Sequence, residues 1–265
     1  MSAPARFSVA VASGKGGVGK STVALNLALA LAARGLRVGL LDADLYGPDI
    51  PLMVNLTRTE QLKRWDLWRR GGVRLEPVER YGIPIMSAGF LIAETQALSM
   101  PAPLLTGVLR QVVHDVEWGG PDVLLVDLPP GTADLQQQLV DVLDLAGAIV
   151  VVGPQDVAHL DARKLLDFLR AAGVTVLGGI ENMGGFACPH CGGAVDVFPR
   201  VPEERSIWAA GVEPLGRVPL DPALARAGDA GRPLLVADPD GPTAGAFHEI
   251  AGRVMAALEG RAAAY

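Results

Sequence analysis

The chain has 265 residues, of which 50% are hydrophobic and 20% charged, and its formal net charge is −6. That length and apolar content suit one large α/β domain, while no run approaches the ~20 apolar residues of a membrane span and the negative charge disfavours a nucleic-acid surface. Two cysteines exclude a disulfide framework, so we expect a cytoplasmic protein with no targeting segment and no membrane or nucleic-acid partner.

The first predicted elements are a buried strand over Phe7–Ala12 and a helix over Thr22–Ala33, joined by a glycine-rich loop. The loop fits G-x-x-x-x-G-K-[ST], in which the backbone curls around a polyphosphate and a helix N-terminus faces the anion. We expect Lys20 to contact the β- and γ-phosphates and the Ser21 hydroxyl to bind Mg²⁺. The predicted nucleotide-binding residues of the loop are Gly14, Lys15, Gly16, Gly17, Val18, Gly19, Lys20, Ser21 and Thr22.

The middle of the chain continues the alternation of strands and helices. After a strand over Arg37–Leu41, residues 55–80 are expected to form an irregular surface excursion. A strand over Ile83–Ser87, a helix over Leu104–Trp118 and a strand over Val123–Asp127 follow.

Acidic residues follow two of these strands at their carboxyl ends, where α/β folds place ligands. Asp127 closes an apolar strand, and we expect it to hold Mg²⁺ through a water, with Asp42 acting similarly. In the next segment, Leu128–Thr132, the backbone N–H of Gly131 is a candidate sensor of the γ-phosphate. Asp49 is a weaker candidate switch residue.

The C-terminal half completes an α/β pattern. We expect a strand over Ala148–Val152, a helix over Ala158–Ala171, a strand over Val174–Ile180, a loop over 182–200, a strand over Pro214–Val218 and a docking helix over Ala244–Leu258. This order predicts a doubly wound, mostly parallel sheet in a single domain spanning residues 1–265. His114, His159 and His248 have no convergent partners in sequence and are interpreted as structural.

The loop over 182–200 contains Cys188 and Cys191. A Cys-x-x-Cys pair supplies two ligands, whereas tetrahedral zinc or an iron–sulfur cluster takes four. A symmetric dimer would supply the missing two. Ordinary thiols and a structural zinc stay open as alternatives, and His190 is interpreted as a solvated loop residue.

The loop with its second lysine, Lys15, resembles the deviant Walker A family, Lys-Gly-Gly-x-Gly-Lys-[Ser/Thr]. With Leu41–Pro48, Asp127–Thr132, Pro154–Ala158, Glu181–Met183 and the Cys188–Gly192 turn, nearly the whole chain resembles the Mrp/ApbC family of iron–sulfur cluster carrier ATPases.

The resemblance implies a P-loop NTPase of the nitrogenase-iron-protein and MinD type that binds ATP and Mg²⁺ as a homodimer. It implies that Lys15 reaches the partner's nucleotide, Asp44 orients the attacking water and Asn182 contacts adenine. It also implies a [4Fe–4S] cluster bridged by Cys188 and Cys191 of each subunit and delivered to apo-proteins.

Two other functions remain open at this point. A nickel- or zinc-handling maturation ATPase would also use the cysteines. A MinD- or ParA-like positioning switch would not use the cysteines. Its membrane-docking tail should be a basic amphipathic helix. Here the last helix carries charges of both signs, Glu249, Arg253, Glu259 and Arg261, beside its apolar face, which favours packing on its own domain.

Overall fold

The computed structural model describes residues 4–56, 75–90, 102–131, 134–188, 190–199 and 201–262. Its strands, in chain order, are β1 Phe7–Ala12, β2 Val38–Asp42, β3 Val78–Arg80, β4 Ile83–Ser87, β5 Val123–Asp127, β6 Leu145–Val152, β7 Val176–Glu181, β8 Phe186–Ala187, β9 Ala194–Val195 and β10 Pro214–Arg217. Its α-helices are α1 Lys20–Ala33, α2 Ile50–Met53, α3 Ala102–His114, α4 Asp134–Val142, α5 Asp156–Ala171, α6 Pro222–Asp229, α7 Leu234–Ala237 and α8 Pro242–Ala262.

Within the described ranges, one sheet runs in the order β10-β7-β6-β1-β5-β2-β4-β3, and β8 pairs with β9 in a separate hairpin. Every pairing in the large sheet is parallel except β3 with β4. The order reverses at β1, between β6 and β5, which is where an open α/β sheet forms a crevice for ligands. The predicted doubly wound, mostly parallel α/β fold is confirmed.

The central strands are buried on both faces, which is why they read as continuous apolar runs. All residues of β2 and β5 are buried, as are eleven of the fourteen residues of α1. The last helix, α8, contacts α1 and β10, and Phe247, Ile250, Val254 and Leu258 are each no more than 3% exposed. None of the helices in the described residues is long and apolar enough to cross a membrane.

Several predicted boundaries shift for local reasons. Helix α1 begins at Lys20, two residues early, because Gly19 takes a left-handed conformation and serves as its N-cap. Helix α3 ends at His114 rather than Trp118, since Trp118 must leave the helix to pack under Gly39. Strand β7 begins at Val176 because the Val174 N–H still bonds the carbonyl of Leu169 near the end of α5.

Other elements were missed or only partly predicted. Residues 78–80 form an edge strand, joined to β4 through Tyr81 and Gly82, whose φ angles of 52° and 78° match the tight hairpin turn that such short connections favour. Residues 57–74 of the expected excursion lie outside the described residues. Strand β2 runs Val38–Asp42, one residue later than predicted, β6 starts earlier, at Leu145, and α8 extends beyond Ala244–Leu258 at both ends. Helices α4 and α6 were not predicted.

Candidate functional site

The phosphate-binding loop connects β1 to α1 at the carboxyl edge of the sheet. Gly17 and Gly19 have φ angles of 81° and 78°, a region that non-glycine residues enter at a cost. No side chain caps the N-terminus of α1, so its first N–H groups remain free for an anion. A cleft of about 310 Å³ opens here, lined by Ser13, Lys15, Gly16, Gly17, Gly19, Lys20, Ser21, Thr22, Asp44, Gly47, Asp49, Met53, Pro130 and Met183.

Gly14 lies away from the cleft lining and packs against helix α5. A Cβ atom at this position would overlap the backbone of Asp161 and Ala162, which cannot rotate aside as a side chain can. At Gly16, a Cβ atom would meet only Pro130 Cγ, at 3.8 Å. The first glycine of the motif therefore allows loop and helix to approach closely.

We expect Gly14→Ala to destabilise the chain by about 1–3 kcal/mol, the usual cost of forcing atoms into a packed region, and to weaken nucleotide binding because the loop must shift. Gly16→Ala is the matched control and should change the free energy of unfolding by less than about 1 kcal/mol. Urea unfolding and titration with a fluorescent ATP analogue measure both quantities. Equal effects of the two substitutions would contradict the assignment of close packing to Gly14.

Two buried carboxylates stand side by side behind the loop. Asp42 and Asp127 occupy paired positions at the ends of β2 and β5, and both are fully buried. Lys20 Nζ donates to Asp127 Oδ1 at 2.5 Å and to Ser21 Oγ at 3.3 Å. Ser87 Oγ donates to Asp42 Oδ2 at 3.0 Å. The ammonium group of Lys20 is thus the positive charge that acts on both Asp42 and Asp127.

Burial raises the pKa of Asp127, and the nearby Lys20 ammonium opposes that rise. Burial and the neighbouring Asp127 charge raise the pKa of Asp42 well above its usual value. Among the described residues, Asp127 Oδ2 is buried and accepts no hydrogen bond. An orphaned carboxylate oxygen at this place fits the water of a bound Mg²⁺, with the Ser21 hydroxyl as a direct ligand.

We expect Asp42→Asn to raise the free energy of unfolding of the nucleotide-free chain at pH 7. The folded-state pKa of Asp42 is raised above the unfolded value of about 4. The free energy of unfolding therefore falls as the pH rises from about 4 to the folded-state pKa, and this loss is relieved on acidification toward about 4. The gain should be of the order of 1 kcal/mol at pH 7 and should shrink on acidification. Urea unfolding at several pH values measures it.

Asp122 provides a control of opposite sign for this prediction. The Arg37 guanidinium bonds this carboxylate and lowers its pKa to about 2, so its charge stabilises the fold above pH 4. Asp122→Asn should lower stability at pH 7 and have less effect in acid. A loss of stability in Asp42→Asn at pH 7 would contradict the prediction.

Asp44 stands in the loop after β2 and lines the cleft. Its Oδ1 atom accepts the backbone N–H groups of Tyr46 and Gly47, at 3.2 and 3.1 Å. Burial raises its pKa, and the Lys20 charge opposes the rise. The carboxylate is thus held in the turn through Oδ1, while the residue lines the cleft. Asp49 is exposed and lines the same cleft.

The segment after β5 is tied back to the phosphate loop. The Gly131 N–H donates to the carbonyl of Ser13 at 3.0 Å, and Gln136 Nε2 donates to the carbonyl of Pro129 at 2.6 Å. The candidate γ-phosphate sensor is thus bonded to the loop itself. Gln136 is fully buried, and sequence reasoning missed it because its role depends on the unpredicted helix α4.

Asn182 follows β7 and reaches the phosphate loop from the far side. Its Nδ2 atom donates to the carbonyl of Val18 at 2.8 Å, and its side chain packs on Gly19. The buried Oδ1 atom accepts no hydrogen bond from a described residue. An exocyclic amino group such as that of adenine would satisfy this oxygen.

The two cysteines sit at the tip of the β8–β9 hairpin. The Cys188 N–H donates to the Gly193 carbonyl and the Gly192 N–H to the Cys188 carbonyl, at 2.9 and 2.8 Å. Gly192 has a φ of 69°, which a side chain would disfavour. Backbone N–H groups of His190 and Cys191 point at the Cys188 sulfur and lower the pKa of its thiol. Cys191 is exposed.

The predicted site residues thus fall into four groups. Most loop residues and Asp44 line the cleft, while Asp42, Asp127 and Asn182 lie buried around it, and Cys188 and Cys191 form a separate hairpin. Gly14, Val18 and Gly131 act through packing or backbone bonds rather than by lining it. The missed residues are Ser87 and Gln136, and the position of Ser87 at a strand end was the available signal for it.

Comparison with known proteins gives consistent matches. A family model described as ParA, NUBPL iron-transfer P-loop NTPase, matches residues 5–255. An iron–sulfur cluster carrier protein of Pseudomonas fragi is 41% identical over 92% of this chain and 83% of its own length. The mouse iron–sulfur cluster transfer protein NUBPL is 40% identical over 95% of this chain and 77% of its own. A nucleotide-binding protein of Archaeoglobus fulgidus in complex with ADP superposes with a TM-score of 0.72 at 33% identity, covering 92% of this chain and 93% of that one.

Proposed function

Because the chain belongs to the ParA family of NUBPL iron-transfer P-loop NTPases, we propose that it is an ATP-hydrolysing carrier of iron–sulfur clusters. In this proposal, two copies hold a [4Fe–4S] cluster between them and transfer it to apo-proteins in the cytoplasm. Relatives named as cluster carrier or transfer proteins, at about 40% identity over nearly the whole chain, support this activity.

The observation that carries the proposal is the Cys188–Cys191 turn in a chain that also forms the phosphate-binding cleft. Backbone N–H groups stabilise the Cys188 thiolate, the form that binds metal. Among the described residues, no group of three or more histidine, cysteine or acidic side chains is arranged to hold a metal. A four-thiolate cluster site therefore requires the cysteines of a second chain.

In the nucleotide reaction, the loop N–H groups and Lys20 hold the phosphates. Ser21 and, through a water, Asp127 would hold Mg²⁺, which would neutralise charge on the β- and γ-phosphates. Lys20 must then move from Asp127 to the phosphates, and Gly131 must exchange the Ser13 carbonyl for a γ-phosphate oxygen. Asp44, anchored through one oxygen, orients the attacking water.

The homodimer also gives Lys15 a role. This partly buried lysine lines the cleft, and in the proposed dimer it contacts the nucleotide of the partner subunit. Each nucleotide would then bridge two chains, so ATP binding would change how the two cysteine pairs face each other. The nucleotide state thereby controls retention or release of the cluster.

Anaerobic reconstitution with iron and sulfide tests the proposal. We expect about two irons and two sulfides per chain, corresponding to one four-iron cluster per dimer, together with a dimeric mass by light scattering. Phosphate release from ATP should require Mg²⁺. A monomer without iron would overturn the carrier function, and a stoichiometric zinc or nickel content would instead favour a maturation ATPase.

A further inference from the structure

A second cavity, of about 310 Å³, lies beside the cysteine hairpin. Its walls come from the carboxyl ends of β7 and β10, the start of α5, and the segment that follows β9. The residues that matter for its chemistry are Glu181, Arg217, His159, Trp208, Phe198 and Glu203. Neither the predicted nucleotide residues nor the cysteines line it, so the proposed function leaves it unused.

The charges of this cavity favour a cation. Glu181 is 13% exposed and is paired at 3.0 Å with Arg217, which is 64% exposed. In the part of the chain that the structure describes, the exposed carboxylate of Glu203 has no ion-pair partner. Asp196 also lines the cavity, although it already interacts with another group. Within the described residues, an added cation would therefore meet an unpaired Glu203 and a Glu181 paired with the exposed Arg217 guanidinium.

A buried histidine supplies an unmatched hydrogen-bond donor in the same wall. His159 is 2% exposed, and its Nδ1 atom accepts the backbone N–H of Ile207 at 3.2 Å. This bond places the proton of the neutral ring on Nε2. That N–H donates to no described residue, and solvent reaches the Nε2 atom. A ligand that brings a carbonyl oxygen next to a cation would satisfy both the donor and the carboxylates.

Aromatic and aliphatic surface surrounds these groups. Trp208 meets the His159 ring edge-on at a centroid distance of 6.1 Å, and Phe198 also lines the cavity. Such rings bind guanidinium and ammonium groups through their faces. Val197 lines the cavity while 48% exposed, and Val195 on β9 is 45% exposed. Exposed apolar residues around a charged pocket are typical of a surface that contacts protein.

We propose that this cavity binds a lysine or arginine side chain of the apo-protein that receives the cluster. The cation lies between Glu181 and Glu203 against Trp208, and a neighbouring backbone carbonyl accepts the His159 Nε2–H. The position next to the cysteine hairpin would bring the acceptor to the cluster before transfer. The identity of the occupant as an acceptor rests on the proposed carrier function, whereas the basic specificity rests on the cavity alone.

Peptide binding to the metal-free full chain tests this specificity. The probe is acetyl-Gly-Ala-Arg-Leu-Arg-Gly-amide, and the control peptide carries glutamate in place of both arginines. Binding is followed by NMR through the indole N–H of Trp208, assigned with Trp208→Phe. We expect the arginine peptide to bind at least about tenfold more tightly than the glutamate peptide.

Variants locate the binding and separate it from the carrier function. The double variant Glu181→Gln, Glu203→Gln should bind the arginine peptide about tenfold more weakly, whereas Glu249→Gln, an exposed acid on α8, should bind it normally. Equal binding of both peptides, or normal binding by the double variant with unchanged thermal unfolding, would overturn the proposal. So would a Trp208 shift that follows protein concentration, because the occupant would then be a second copy. Iron loading of the same variants is measured separately and should be unchanged. If the unmodified chain itself binds no iron, that result counts against the carrier function and not against the basic specificity of the cavity.

Discussion

Replacing Cys188 by serine is expected to reduce the iron content after reconstitution from about two per chain to nearly none. A serine hydroxyl stays protonated at neutral pH and cannot replace a thiolate ligand. In a symmetric dimer, one substitution removes two of the four ligands at once. The substitution is nearly isosteric and the residue is only partly buried, so the fold should be unaffected. Iron and sulfide assays and the visible absorption of the cluster measure the loss.

His190→Ala is the matched control for this experiment. His190 is exposed between the two cysteines, and its contribution to the Cys188 sulfur is a backbone N–H that alanine retains. Iron content should therefore stay near that of the unmodified chain. Full iron binding by Cys188→Ser, with its circular dichroism unchanged, would eliminate a cluster held by this hairpin. Loss of iron in His190→Ala would indicate that the His190 imidazole is also a ligand.

The geometry of the candidate nucleotide site was predictable because its signals are local. The spacing of Gly14, Gly19 and Lys20 within one loop specifies a phosphate-binding backbone without knowledge of the rest of the chain. The strand-end rule also located Asp42 and Asp127, since parallel strands align their carboxyl ends at one edge. Their direct pairing in the sheet agrees with that argument.

Contacts between distant segments were beyond the reach of sequence patterns. Lys20 and Asp127 are 107 residues apart, and their ion pair depends on β1 and β5 being neighbours, which no local periodicity encodes. The same limit applies to Gly14, whose packing partner is the backbone of α5. The motif gives Gly14 a place in the loop, but only the fold shows which surface it touches.

Weak periodicity and small size account for the missed elements. Helix α4 contains three consecutive glutamines, so its apolar face is faint in sequence. Strands β8 and β9 are two residues each, too short for an alternating pattern. His159 was interpreted as structural for want of neighbours in sequence, whereas the fold places it in the wall of the second cavity with its Nδ1 bonded to Ile207. The cavity groups near it, Glu181 and Trp208, come from segments that only the fold brings together.

Replacing Asp44 by asparagine is expected to lower the rate of ATP hydrolysis by about 10²–10⁴-fold, the range associated with removing a residue that accepts or directs a proton. Asparagine can keep Oδ1 as the acceptor for the Tyr46 and Gly47 N–H groups, so the loop should retain its shape. Its amide cannot accept a proton from the attacking water. Nucleotide affinity should therefore change only a few-fold. Single-turnover phosphate release and titration with a fluorescent ATP analogue separate the two effects.

Asp49→Asn tests whether the effect is specific to Asp44. Asp49 is exposed and lines the same cleft, and its substitution also removes one negative charge. A comparable rate loss in both variants would mean that the negative charge of the cleft matters, rather than a positioned carboxylate. An unchanged rate in Asp44→Asn would exclude Asp44 as the residue that orients the water. Normal iron loading in Asp44→Asn would further show that cluster binding does not require hydrolysis, and ATP turnover would then be assigned to a later step such as release.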